Sequence, residues 1–77
     1  MPDSTSVQIH HCRSGWSAHV GASRDGNAWE ITRGFFATLP ELDIVITGCI
    51  DAADTAALPM GELRNLWDQA VAGSQAS

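Results

Sequence analysis

The 77-residue chain contains no lysine, and its only permanently cationic side chains are Arg13, Arg24, Arg33 and Arg64. Binding DNA or RNA directly requires phosphates to be neutralised by several cations, so this composition argues against a nucleic-acid partner. No apolar run approaches the ~20 residues that span a bilayer, and Met1-Pro2-Asp3-Ser4 has neither the basic start nor the apolar stretch of a signal peptide. The expectation is a cytoplasmic protein with no membrane partner. Cysteine is sparse, with only Cys12 and Cys49, which are expected to be reduced in that compartment. Charged residues make up only 17% of the chain, leaving few groups to keep the whole surface wet and making a partner-covered surface plausible. No GxGxxG or GxxxxGK[ST] motif occurs, so Gly21, Gly26 and Gly34 read as turn and strand positions and not as a phosphate loop.

What charge there is lies unevenly. In residues 1–39, Asp3, Asp25 and Glu30 cancel Arg13, Arg24 and Arg33, whereas residues 40–77 carry six acids against Arg64, so the entire net charge of −5 lies in the C-terminal half. An acidic half meets a basic protein surface favourably, because complementary charge speeds encounter and selects partners.

A chain this short buries only about 60–65% of its extended surface and is expected to form one marginally stable domain. The expected organisation is a flexible N-terminal tail over 1–6, a single α+β domain over 7–72, and a flexible Gly/Ser-rich tail over 73–77. Two turn signals, Ser14-Gly15 and Asp25-Gly26, separate three apolar stretches. As two-residue hairpin turns they would set His10 opposite His19, Ile9 opposite Val20, Val7 opposite Ala22, Ala22 opposite Trp29 and Val20 opposite Ile31. Val7, Ile9, Val20, Ala22, Trp29 and Ile31 then share one face.

The stretch Asp43 to Ile50 is the most β-branched in the chain and follows Pro40-Glu41, a good turn centre, so it reads as a fourth strand. Leu39 would pair with Leu42, Phe35 with Ile46, Ala37 with Ile44 and Ile31 with Ile50. The alternative is that Phe35 to Leu39 forms a helical turn over the sheet. Met60, Leu63, Leu66, Trp67, Ala70 and Val71 recur at helical spacing, with Pro59 at the start and Gly73 as a C-cap. Asp54 to Leu58 is open between helical turn and loop. The expected fold is therefore an antiparallel three- to four-stranded β-meander with one C-terminal amphipathic helix packed on one face.

That fold places His10, Cys12 and His19 on the other sheet face, where three such ligands can approach a metal. The fourth ligand of a structural zinc site and any CxxC pair are missing, so no metal or cofactor is expected and these residues read as solvent-facing. Cys12 with His10 supplies a thiol and a base but no oxyanion site, and the chain reads as non-catalytic. On strands 1 and 4, Cys12 and Cys49 would lie too far apart for a disulfide. The second face would also carry Phe36, Val45, Thr47 and Cys49, an apolar patch suited to a protein partner or a homodimer. In size, charge and architecture the expected domain is similar to antitoxins, immunity proteins and phage-encoded inhibitors of host defence, an analogy that carries no motif. The functional expectation is a small acidic inhibitor or other protein-binding module. Its partner surface would comprise Asp51, Asp54, Glu62, Asp68, Phe36 and Val45, and the alternative is a homodimeric or accessory subunit.

Overall fold

A computed structural model describes residues 4–53 and 58–76. Three strands, β1 (Ser4–Cys12), β2 (Gly15–Arg24) and β3 (Asn27–Phe36), form an antiparallel sheet in the order β1-β2-β3. Two helices follow, α1 (Leu39–Ala52) and α2 (Met60–Ala76). The architecture is α+β, with three strands, within the expected three to four, and two helices in place of the expected one. Both helices cover one sheet face, α2 over β1 and β2, and α1 over β2 and β3.

The second hairpin has the expected register, with Ala22 opposite Trp29 and Val20 opposite Ile31. Asp25 (φ 51°) and Gly26 (φ 84°) both take positive φ, the type I′ geometry whose twist matches paired strands. The first hairpin turns one residue earlier than expected, at Arg13-Ser14, so that Cys12 pairs with Gly15. Gly15 belongs to β2, at φ 123°, and a side chain there would overlap the Phe36 carbonyl. Its glycine serves close strand approach and not the turn.

Moving the turn by one residue moves the pairing by two. Val7 now faces Val20 and Ile9 faces Ala18, yet the apolar set stays on one side because strand faces repeat every two residues. The observed register also brings His11 opposite Trp16, with the rings stacked at a centroid distance of 3.9 Å. His10 consequently lies opposite Ser17, and His19 opposite Gln8.

The largest correction is the fourth strand, which is the helix α1. Thr38 is its N-cap, and Thr38 Oγ1 accepts from the Glu41 N–H at 3.4 Å. Pro40 sits in the first turn and Glu41 places its acid there, so Pro40-Glu41 starts a helix and not a hairpin. Leu39, Leu42, Ile46 and Ile50 recur on one helical face, and all four are buried. That burial outweighs the β preference of Ile44, Val45 and Thr47, which amounts to tenths of a kcal/mol per residue. Thr47 further adapts by donating its hydroxyl to the Asp43 carbonyl at 2.8 Å. The expected pairs Leu39–Leu42, Phe35–Ile46, Ala37–Ile44 and Ile31–Ile50 are absent.

Ala18, Val20 and Ala22 from the middle strand meet Leu39, Leu42, Ile46 and Ile50 of α1 and Leu63, Trp67 and Val71 of α2 in one core. Val7, Ile9, Trp16, Trp29, Ile31, Phe36 and Met60 pack around it. Small residues on β2 suit this arrangement, since the central strand lies beneath both helices. α2 follows the expected Met60-Leu63-Trp67-Val71 spacing but continues through Gly73 to Ala76, so Gly73 is interior and not a cap. The Pro59 carbonyl accepts the Leu63 N–H at 3.0 Å, which places Pro59 at the helix entry. The question of turn or loop at Asp54 to Leu58 lies, but for Leu58, outside the described residues.

Candidate protein-binding surface

The uncovered sheet face carries Ser6, Gln8, His10 and Cys12 from β1, Ser17, His19, Gly21 and Ser23 from β2, and Ala28, Glu30 and Thr32 from β3. These side chains are small or polar. His19 Nδ1 and Thr32 Oγ1 are hydrogen-bonded at 3.0 Å, and His19 Nε2 lies 3.9 Å from a Glu30 carboxylate oxygen. This ladder ties β2 to β3 across the face.

The apolar patch expected there is not formed. A register shift where Trp16 and Ser17 meet β3 sets Phe36 opposite Trp16, turning Phe36 toward the core and leaving Phe35 72% exposed. Val45, Thr47 and Cys49 are on α1, in the other layer. Nor do the three metal-ligand candidates converge. Cys12 donates its thiol toward the Gly15 carbonyl at 3.4 Å, and His19 pairs with Gln8, four positions along the strand from Cys12. Among the described residues no group of three or more His, Cys, Asp or Glu side chains is placed to hold a metal ion. Cys12 and Cys49 are both free thiols. The separation expected between them rested on a fourth strand, whereas in fact one lies on a strand and the other on a helix.

The outer face of the helical layer is different in character. α1 buries one row, and its outer side mixes apolar with polar residues. There it presents Ile44, 71% exposed, beside the exposed Pro40, Glu41, Gly48 and Asp51. Glu41 stands exposed one turn before Ile44, in the first turn of α1, where a carboxylate also favours the positive end of the helix dipole, whereas Glu62, in the first turn of α2, stands against Ser4, Thr5 and Arg24.

Asp51 accepts from Arg64 at 2.8 Å, and Asp68 lies 3.7 Å from the same guanidinium, one turn further along α2. Arg64 thus holds the two helices together while offsetting one of the two carboxylates it bridges. Asp43 is turned inward and accepts from Trp67 Nε1 at 2.8 Å. Asp54, also expected in the surface, lies outside the described residues. Six acids against Arg64 leave residues 39–76 at −5, while residues 4–36 carry one arginine more than acids. Of these acids, Glu41, Asp43, Asp51, Glu62 and Asp68 lie on the two helices, so most of the charge read along the chain belongs to the helical layer.

Of the expected partner-surface residues, then, Asp51, Glu62, Asp68 and Val45 belong to the helical layer and Phe36 belongs to the core. The helical layer also exposes Ile44 and Glu41, and the cap Thr38-Leu39-Pro40-Glu41 followed by a helical period is the signal in the sequence that turns Ile44 outward. Among the described residues no helix is long and apolar enough to cross a membrane. No family model, curated protein or solved structure matches the chain.

Proposed function

We propose that this chain is a small, acidic, non-catalytic protein-binding module that docks its helical layer on a basic, partly apolar patch of a larger protein. Inhibition of that protein is the simplest consequence of such docking. The observation that supports this reading is the large apolar side chain that α1 turns outward. Ile44 stands 71% exposed, with the exposed Glu41 and Asp51 on the same side of the helix and Asp68 beside Asp51 at Arg64. An apolar centre inside a charged rim is how protein interfaces are built, with the centre contributing affinity and the rim steering the encounter.

The test is affinity capture from the native host, followed by mass spectrometry, at about 50 mM and 500 mM NaCl, where the screening length differs severalfold. The wild-type chain is expected to retain a specific partner at low salt and release most of it at high salt. Ile44→Glu is expected to lose the partner at both concentrations while keeping its circular dichroism spectrum. Capture by Ile44→Glu equal to wild type and indifferent to salt overturns the proposal.

A further inference from the structure

The two ends of the sandwich differ, and the β3 end is built to be met. A type I′ turn closes on a hydrogen-bonded pair, here Arg24 and Asn27. Alternation along an antiparallel ladder then assigns the backbone groups of Asn27, Trp29 and Ile31 to β2 and turns those of Ala28, Glu30 and Thr32 outward. In agreement, the Thr32 carbonyl is outside the ladder and accepts from the Arg33 guanidinium at 2.9 Å. From Asn27 to Gly34, ahead of the register shift at Phe36, β3 therefore offers a regular edge about 26 Å long with no proline in it.

Alongside that edge runs the flank of α1 turned away from α2. Asp43 and Asp51 face α2 through Trp67 and Arg64, and at 100° per residue Val45, Cys49 and Ala52 fall on the opposite flank. Cys49, Ala52 and Ala53 line one groove with Trp29, Ile31 and Arg33. At the other end of the sandwich, Glu62 of α2 stands against Ser4, Thr5 and Arg24.

We infer that the β3 edge and this α1 flank form a self-complementary interface for a second copy of the chain, giving a continuous six-stranded sheet. Two antiparallel edges related by a two-fold axis pair with the axis perpendicular to the sheet, which puts both helical layers on the same side. Centring on Ile31 places Trp29 opposite the partner's Arg33, a cation over an indole, and Glu30 opposite the partner's Thr32. Centring on Glu30 opposes two carboxylates, and centring on Thr32 leaves Glu30 and Arg33 facing no complementary group.

The helices fit the same symmetry. Because α1 lies over β2 and β3, the two α1 helices come about two strand spacings apart, roughly 10 Å, close to the 8–10 Å of packed helices. The axis passes beside Cys49 and Ala52, the residues that line the groove with Ile31. Arg33 leaves the Thr32 carbonyl on association, and a partner N–H takes its place.

This interface is separate from the outer helical face, so it stands or falls independently of the function proposed above. Sedimentation equilibrium of the 77-residue chain between about 1 and 200 µM is expected to show a monomer–dimer equilibrium. Thr32→Pro, which removes an outward N–H, and Ala52→Glu, which sets two carboxylates near the axis without touching the sheet, are each expected to weaken it at least tenfold. Circular dichroism should remain that of the wild type for Ala52→Glu. With Cys12→Ser leaving Cys49 as the only thiol, a short bismaleimide should link two chains covalently. A monomer across the whole range, or a dimer that resists Ala52→Glu and fails to cross-link at Cys49, overturns the inference. A dimer that binds through another face or a foreign strand at β3 would give that second result.

Discussion

Trp67 is fully buried, yet its indole N–H needs an acceptor, and Asp43 supplies one from the neighbouring helix at 2.8 Å. The pair joins the largest core side chain to the inward flank of α1, so removing the carboxylate strands a buried donor. Asp43→Ala is expected to cost about 1–3 kcal/mol, measured as a fall in the urea midpoint. Arg64 contrasts with it. Its partners Asp51 and Asp68 are 65% and 57% exposed, and solvent screening leaves Arg64→Ala a cost of under about 1 kcal/mol despite the 2.8 Å contact. At Thr38, loss of the side chain that accepts from the Glu41 N–H is expected to cost about 1 kcal/mol in the same measurement. Gly15→Ala should be more damaging, because φ 123° and the Phe36 carbonyl both oppose a side chain. A Gly15→Ala chain as stable as wild type would contradict the close approach of β2 and β3 at that end.

At the scale of elements, the strands and the C-terminal helix were legible and α1 was not. Each hairpin depends on contacts a few residues apart, and the Asp25-Gly26 turn sets its register locally. The first hairpin turns one residue earlier than its Ser14-Gly15 signal implies, but period two keeps the core strand residues on the same face. α1 is not legible because its sequence supports two local solutions. Ile44, Val45, Ile46 and Thr47 favour a strand, while Thr38, Pro40 and Glu41 open a helix. The decision came from Leu42, Ile46 and Ile50 finding the core beside Trp67, a contact between residues far apart in the chain. The buried row of α1 and its outward Ile44 can be separated experimentally. Ile46→Ala, in the buried row, is expected to cost about 2–5 kcal/mol, whereas Ile44→Glu should stay within about 0.5 kcal/mol of wild type in denaturant unfolding. Equal destabilisation by the two would mean that Ile44 is not the free side.

For the whole molecule, one core joins both layers, because β2 lies beneath α1 and α2 together. Unfolding is therefore expected to be a single transition, with tryptophan fluorescence and far-ultraviolet circular dichroism superimposing across urea concentration. Separate transitions would show that a helix detaches before the sheet. The layer arrangement also converts a charge gradient along the chain into an acidic pair of helices, which is the basis for expecting a basic partner. By itself, the sequence determined the meander, the period-two core face, the helix beginning at Met60 and the imbalance of charge, since each depends on local turn chemistry, periodicity or composition. Only the tertiary structure decided that Asp43 to Ile50 is helical, that Phe36 turns inward and Phe35 outward, and that the uncovered sheet face is polar. Those outcomes depend on which surfaces α1 and β2 bury against each other, and burial of that kind is a property of segments brought together by the fold.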